Sequence, residues 1–326
     1  MSDKNYPMGN GNIPPLAVNG AGIAEAWENS VVELHDKGLW YKRGGKKDQG
    51  KIQTDSTMMI GLMSPARQPF LHKMMGCGAP DLFEYQMELL GAKDSWVDPS
   101  GESLKWEYHY HERLVGHPGE NGLVDQLSEI KRLMLNRPTT RRMTAVTWAP
   151  ARDYTSGDPP CLQRIWFGMV PDESRKDNQW VMNMNYDFRS RNVMFAAPMN
   201  MLGLMTLQYD LVDKLQEEGM NIKAGRIIDK SDSYHVSARD QSKFHAVAKR
   251  IKDSWKKDEG IEKRSFDPEL TLDLMQEERA NILIKLVDQT RKNLEEYGKM
   301  NQFDAEETKI HALANRVDYL NKQMFS

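Results

Sequence analysis

The chain has 326 residues, with 44 Lys and Arg against 47 Asp and Glu, which gives a formal net charge of −3. This balance argues against a protein devoted to nucleic-acid binding, which would carry a strong basic excess. Hydrophobic residues at 39% and charged residues at 28% fit a folded globular protein. No apolar run approaches the roughly 18 residues that span a bilayer, and two cysteines are too few for a disulfide framework. We expect a cytoplasmic protein that binds neither nucleic acid nor membrane.

Alternating segments of helical and strand periodicity follow an N-terminal tail, residues 1–22, that is rich in Gly, Pro and Asn. Strands mixed with long helices predict an α/β or α+β fold, with one catalytic domain over residues 23–265. Apolar spacing predicts helices at 23–39, 80–92, 122–136 and 198–215, and β-branched and aromatic runs predict strands at 143–148, 162–170, 180–188, 225–229 and 234–236.

The last segment, residues 266–326, predicts a helical extension that packs on the core or on a second subunit. Asp267 and Pro268 are typical of a helix start. Asp304 and Glu307 form a candidate capping box for a second helix. A coiled-coil-like seam follows it, at Ile310, Leu313, Val317, Leu320 and Met324.

Cys161, directly after two prolines, is the candidate nucleophile. A lone cysteine is more often a small buried hydrophobic residue. Arginine pairs precede and follow it in the sequence, at 141–142 and at 189 and 191. They favour the interpretation of Cys161 as a nucleophile, because nearby guanidinium groups stabilise the reactive thiolate. Paired arginines also suit a phosphate through their planar forks. The alternative is that they form ordinary surface salt bridges.

Several motifs occur in one order: Thr139–Arg142, Pro159–Cys161, Arg189-Ser190 and Asn200, followed by Ser-Tyr-His-Val at 233–236. Upstream, Glu84 precedes Gly91 by seven positions, and Asp125-Gln126 opens a helix. Over residues 80–245 this order resembles the thymidylate synthase and pyrimidine hydroxymethylase superfamily. The resemblance implies a thymidylate-synthase-like mixed β-sheet with flanking helices.

The resemblance also implies a covalent mechanism. Cys161 would add to C6 of a pyrimidine nucleotide, and C5 would then attack the one-carbon unit of the co-substrate 5,10-methylenetetrahydrofolate. Glu84 would organise water and move protons. Because Glu84 lies on a mostly apolar helix, we expect its pKa to be raised.

The remaining roles implied by the resemblance concern binding. Arg189 and Ser190 would bind the phosphate within one subunit, and Arg141 and Arg142 across a dimer interface, which requires a homodimer with shared active sites. His235 would bind the nucleotide sugar, and Asn192 stands where synthases contact the folate. In the basic loop at 41–51, Arg43 is the candidate for a further phosphate ligand.

Asn200 bears on the choice of base. A carboxamide offers a donor and an acceptor, which match O4 and N3–H of uracil. The related phage dCMP hydroxymethylases carry aspartate at this place. An unpaired polar group in a closed pocket costs roughly 1–3 kcal/mol, so asparagine favours dUMP over dCMP.

Departures from the synthase pattern bear on how the reaction ends. Leu162 stands where synthases have a histidine, and Trp166 stands where they have a glutamine. Asn192 takes the place of an aspartate, and Ser237 that of a tyrosine. The chain ends in Gln-Met-Phe-Ser without a recognisable closing segment. The amino-acid sequence of residues 188–195 resembles the corresponding segment of the phage hydroxymethylases. The leading hypothesis is therefore a dUMP 5-hydroxymethylase; the alternatives are a thymidylate synthase, a dCMP or CMP hydroxymethylase, and a non-catalytic nucleotide-binding relative.

His109 and His111 raise one further alternative, a metal site. Alternation on a strand would place both imidazoles on one face, but no third ligand stands at a supporting distance in the sequence. We therefore predict no metal.

Overall fold

The structure is a computed structural model that describes residues 9–42, 50–97 and 108–325. A mixed sheet of eight strands forms its centre, and a two-stranded hairpin lies apart from it. The strands are β1 (Pro15–Gly20), β2 (Leu39–Lys42), β3 (Ile52–Leu62), β4 (His117–Gly119), β5 (Gly122–Val124), β6 (Thr144–Val146), β7 (Leu162–Pro171), β8 (Trp180–Phe188), β9 (Arg191–Asn192) and β10 (Ile222–Val236).

The order of the main sheet is β1–β3–β10–β8–β7–β6, with β2 also paired to β3 and β9 also paired to β10. The β10 strand is antiparallel to β3 but parallel to β8 and β9. The β7 strand is antiparallel to β8. This mixture of directions, with helices on the sheet, confirms the predicted fold class.

Helices cover the sheet and supply the rest of the core. Of these, the long helix after β9 is buried along most of its length. The helices are α1 (Ile23–Lys37), α2 (Ala79–Leu89), α3 (Tyr110–Val115), α4 (Gln126–Asn136), α5 (Pro150–Asp153), α6 (Ala196–Glu217), α7 (Gln241–Lys256), α8 (Ile261–Arg264), α9 (Pro268–Glu296) and α10 (Phe303–Phe325). None of the helices in these ranges is both long and apolar enough to cross a membrane.

The predicted helices and strands are present, with shifted ends. The prediction at 180–188 matches β8 to the residue. Residues 122–124, predicted as helix, form β5 instead, and the helix begins at Gln126 because Asp125 caps it through the backbone N–H of Ser128.

Three assignments were wrong or missing. The β1 strand lies within the predicted tail and pairs with β3, a strand that the sequence patterns did not reveal. Asp304 lies inside the first turn of α10 and not at its cap, because the helix begins at Phe303.

The predicted C-terminal hairpin consists of α9 and α10, and it packs against α2 and α6. Asp267 caps α9, as predicted, by accepting from two backbone N–H groups. A buried chain of amides joins the hairpin to the core: Gln86 Nε2 donates to Thr206 Oγ1 at 2.8 Å and to Asn321 Oδ1 at 2.6 Å. The domain boundaries at residues 22 and 265 stay predictions.

Candidate active site

A cavity of about 610 Å³ lies where α2, α6, β9 and β10 meet the loop before β7. Five of the residues nominated from the sequence line this cavity together. They are Cys161, Ser190, Asn192, Asn200 and His235. Residues that are far apart in the chain therefore form a single site, as the order of the motifs predicted.

The Cys161 thiol is held at the start of β7 by a rigid turn. Arg189 donates from Nη2 and Nε to the carbonyls of Pro159 and Pro160, at 2.6 and 3.0 Å, and its backbone N–H donates to the carbonyl of Cys161. The guanidinium of Arg189 thus fixes the loop that presents the sulfur.

The surroundings of this thiol do not favour its thiolate form overall. Burial raises the pKa of the Cys161 thiol, the charge of Asp158 raises it further, and Arg189 only partly opposes them. Burial therefore outweighs the charge of Arg189, and the net effect of these surroundings is to favour the protonated thiol. The prediction that neighbouring arginines favour the thiolate was wrong in this respect.

Glu84 does not reach the cavity. Its carboxylate pairs with Lys93 at 3.0 Å and with Lys285 of the C-terminal hairpin at 2.7 Å. Burial raises the pKa of Glu84, but these two lysines outweigh burial and lower it overall. The expected rise in its pKa was therefore wrong, because the sequence did not reveal the lysines.

The glutamate on the cavity wall is Glu88, one turn further along α2. Position 88 lies about 6 Å further along the helix axis than position 84 and about 40° further around it. This shift places Glu88 closer to the side of α2 that carries Tyr85, which also lines the cavity. Burial raises the pKa of Glu88, but hydrogen bonding to His109 and the charge of Lys93 lower it to about 2. Glu88 is therefore ionised at neutral pH.

His109 and His111 do not share a face, because the chain turns into α3 directly after His109. His109 lies on the cavity wall, with Nδ1 3.5 Å from Glu88 Oε1. His111 faces away and pairs with Asp94 at 2.7 Å. In the part of the chain that the structure describes, no group of three or more His, Cys, Asp or Glu is placed to hold a metal ion.

Asn200 projects from α6 into the cavity, where its Nδ2 donates to the hydroxyl of Tyr85 at 2.5 Å. Tyr85 comes from α2, so this contact ties the predicted base-reading residue to the helix of Glu88. Tyr85 was not among the residues nominated from the sequence. Its helical position, three residues before Glu88, was the available signal.

Two nominated residues at the folate and sugar positions are held by local hydrogen bonds. Asn192 Nδ2 donates to Ser237 Oγ at 2.8 Å, and its Oδ1 accepts from the backbone N–H of Met194 at 2.9 Å. His235 faces the buried Asp55, whose pKa is raised by burial although Ser233 and His235 oppose the rise. Both Asn192 and His235 still present a polar edge to the cavity.

The remaining nominated arginines lie elsewhere. Arg141 and Arg142 are exposed on the loop before β6 and do not line the cavity of this single chain. Their donation to a neighbouring subunit stays a prediction. Arg43 lies outside the described residues.

Comparison with known proteins identifies the family of this chain. The family model described as thymidylate synthase matches residues 82–310, which contain most of α2, the Cys161 loop and β10. The chain belongs to the thymidylate synthase family. The superfamily resemblance predicted from the motifs is therefore confirmed.

Curated relatives of this chain carry the name "Putative thymidylate synthase". The Methanosarcina barkeri protein is 26% identical over 232 residues, which cover 70% of this chain and 93% of that protein. The Methanococcoides burtonii protein is 30% identical over 153 residues, covering 47% of this chain and 63% of that protein. A Methanosarcina mazei relative is 31% identical with the same coverage, 47% and 63%. The chain thus spans less than two thirds of the latter two proteins.

Proposed function

We propose that this protein transfers a one-carbon unit to C5 of dUMP and finishes by hydration, giving 5-hydroxymethyl-dUMP. The observation that carries the proposal is the meeting of the Cys161 thiol, the Asn200 carboxamide and Glu88 around one cavity. Membership of the thymidylate synthase family supports the one-carbon chemistry. The hydration step rests on the polar groups described below.

The cavity fits both substrates in chemical character. Ser190, next to Arg189, and His235 supply polar contacts for a nucleotide phosphate and sugar. Phe195, 46% exposed, and Met199 form an apolar edge beside Asn192 that suits a flat aromatic ring such as that of a folate. Bound 5,10-methylenetetrahydrofolate would supply the one-carbon unit at the oxidation level of formaldehyde.

Cys161 would act first. Its thiol loses a proton and the sulfur forms a bond to C6, while the C5–C6 π electrons move toward C5 and O4. Asn200 is placed to hold the O4 and N3 edge of the ring through its amide. C5 would then bond to the one-carbon unit and lose its proton to solvent, and cleavage of the C–N bond would release tetrahydrofolate and leave an exocyclic methylene on the ring. After water adds to this methylene, the C6–S bond would break and the sulfur would depart as the ring double bond re-forms.

Glu88 and His109 would handle water. Glu88 has a pKa of about 2 and is a weak base, so its role is to accept a hydrogen bond and orient its neighbours. The imidazole of His109, whose Nδ1 lies 3.5 Å from Glu88 Oε1, has a ring nitrogen that can accept a proton. This pair can take the proton of a water that attacks an exocyclic methylene at C5.

Incubation of the protein with dUMP and methylenetetrahydrofolate tests the proposal through the mass of the nucleotide product. Hydration yields the hydroxymethyl nucleotide and tetrahydrofolate. A product one oxygen lighter, with dihydrofolate, would instead establish thymidylate synthase activity, the candidate that the names of the archaeal relatives favour. Faster turnover of dCMP than of dUMP would contradict the role of Asn200. The Cys161→Ala variant is the control and should be inactive in each assay.

A further inference from the structure

Lys93 is a largely buried cation that joins the two glutamates of α2. Its Nζ atom lies 2.7 Å from Glu88 Oε2 and 3.0 Å from Glu84 Oε1, and only 11% of its side chain is exposed. Among the described residues, the wall of the cavity includes Glu88 but not Lys93. Lys93 therefore bears on the candidate active site through Glu88, its partner on the cavity wall.

The turn at the end of α2 brings Lys93 back toward these glutamates. Gly91 adopts a φ of 105°, a conformation that favours glycine because glycine has no Cβ. The backbone N–H groups of Gly91 and Ala92 donate to the carbonyls of Glu88 and Met87, both at 3.0 Å. The chain thus reverses directly after the helix, and Lys93 lies beside the last turns of α2.

The C-terminal hairpin supports the residue against which Lys93 packs. The Nζ atom of Lys93 lies 5.2 Å from the ring centre of Trp96, within the range of a cation–π contact. The indole N–H of Trp96 donates to Thr290 Oγ1 of α9 at 2.8 Å, and the backbone carbonyl of Trp96 accepts from the hydroxyl of Tyr297 at 2.8 Å. Because these contacts fix Trp96, the ammonium of Lys93 has little freedom to leave Glu88.

The charges around Lys93 balance in pairs. The second oxygen of Glu84 pairs with Lys285 at 2.7 Å, so two glutamates face two lysines. Burial lowers the pKa of Lys93, but the charges of Glu88 and Glu84 outweigh burial and raise it overall. The ammonium is therefore charged at neutral pH, and it donates a charge-assisted hydrogen bond to Glu88 Oε2.

We propose that Lys93 is a positioning residue that holds Oε2 of Glu88 so that Oε1 stays beside the imidazole of His109 on the cavity wall. This inference rests on the proposed function, in which Glu88 orients its neighbours. Oε1 of Glu88 lies 3.5 Å from Nδ1 of His109. Without Lys93 the carboxylate would be a buried charge that has lost its cation, and it would turn toward solvent or take up a proton. Either change disturbs the pair of Glu88 and His109.

A double-mutant cycle between Lys93 and Glu88 tests the proposal. The variants are Lys93→Met, Glu88→Gln and the two combined, and the assay counts dUMP turnover to either the hydroxymethyl or the methyl nucleotide. We expect Lys93→Met to lower kcat about tenfold to a hundredfold with little change in the KM for dUMP, because a displacement of about 1 Å can cost that much. In the Glu88→Gln background the same substitution should change kcat by less than about threefold, since the carboxylate through which Lys93 acts is gone.

Two further variants serve as controls. Lys93→Arg keeps the charge and should recover most of the kcat lost in Lys93→Met. Lys131→Met removes a lysine that pairs with Glu218 at 2.8 Å and does not line the cavity, and it should match the wild type.

Equal losses of kcat from Lys93→Met in the wild-type and Glu88→Gln backgrounds would overturn the proposal, because they would show a purely structural role. An unchanged kcat for Lys93→Met would overturn it as well. If Lys93→Met does not fold, Lys93→Gln takes its place in the cycle and is judged by the same criterion. A wild-type protein that gives neither nucleotide product from dUMP would instead refute the proposed function, and this inference with it, so the two failures are distinguishable.

Discussion

At the residue scale, the position of a glutamate along α2 decides whether its carboxylate lines the cavity. Glu84 and Glu88 have the same side chain and lie one turn apart on one helix, but only Glu88 lines the cavity. The carboxylate of Glu84 instead forms ion pairs with Lys93 and Lys285. The two residues therefore form a natural matched pair, in which the chemistry of the substitution is constant and the position alone differs.

We predict that Glu88→Gln lowers kcat for dUMP turnover on the order of a hundredfold, because displacing the groups that Glu88 orients by as little as about 1 Å can cost that much. Glu84→Gln removes a partly exposed ion pair and should leave kcat within about threefold of the wild type. Steady-state kinetics of the two variants check this. A larger loss for Glu84→Gln than for Glu88→Gln would return the catalytic role to Glu84.

The two cysteines should differ in their response to pH. Burial raises the pKa of Cys161, so its thiolate fraction and its rate of alkylation should still be rising with pH above the ordinary thiol value of about 8.5. Cys77, 7% exposed and with a pKa raised to about 12 by burial and Asp81, should remain unmodified. Iodoacetamide labelling followed by peptide mass spectrometry between pH 7 and 9.5 checks this. A plateau for Cys161 below pH 8 would mean that its thiolate is already favoured.

At the scale of elements, the C-terminal hairpin supports the helix that carries Glu88. The amide of Gln86 bridges Thr206 on α6 and Asn321 on α10, and all three side chains are buried. A bridge of this kind fixes the rotation of α2 about its axis. That rotation decides which glutamate lines the cavity.

Asn321→Ala should lower the free energy of unfolding by roughly 1–3 kcal/mol, because the amide of Gln86 is left buried without one of its partners. Lys322→Ala, at the exposed next position, should change it by less than about 0.5 kcal/mol. Urea denaturation followed by circular dichroism measures both. Equal stabilities for the two variants would show that the bridge contributes nothing.

The elements that the sequence predicted are those whose apolar period is regular, such as α6 and β8. The β3 strand was missed because a run of four polar residues in its first half predicts a loop. These residues are Gln53, Thr54, Asp55 and Ser56. All four are buried, and tertiary contacts such as Thr54 with Gln241 and Asp55 with Ser233 satisfy them. Local patterns cannot report partners that lie almost two hundred residues away.

The same reason limits prediction of the site. Cys161, Asn200 and His235 were found because each stands in a recognisable motif. Glu88 was not assigned a role, since its place in the site depends on the angle at which α2 faces the cavity. That angle follows from packing between elements and not from any local signal.

At the scale of the whole molecule, the exposed Arg141 and Arg142 lead to a prediction about assembly. If each subunit lends these arginines to its neighbour, one dimer can combine two different defects. We expect Cys161→Ala and the double variant Arg141→Ala/Arg142→Ala to be nearly inactive alone. Mixing them, with subunit exchange, should restore about one quarter of wild-type activity, because half of the dimers then hold one intact site of two. No recovery in a demonstrably exchanging mixture would place the arginines outside the shared site.

The central claim is that the Cys161 sulfur attacks a pyrimidine nucleotide in this cavity, and trapping of the covalent adduct tests it most directly. A fluorine at C5 of dUMP cannot leave as a proton does, so the reaction should stop with nucleotide and one-carbon carrier attached to the protein. After incubation with 5-fluoro-dUMP and methylenetetrahydrofolate, intact-protein and peptide mass spectrometry should show one such adduct per chain, on the peptide containing Cys161 and absent from Cys161→Ala. An unmodified protein, or an adduct on Cys77, would contradict the account.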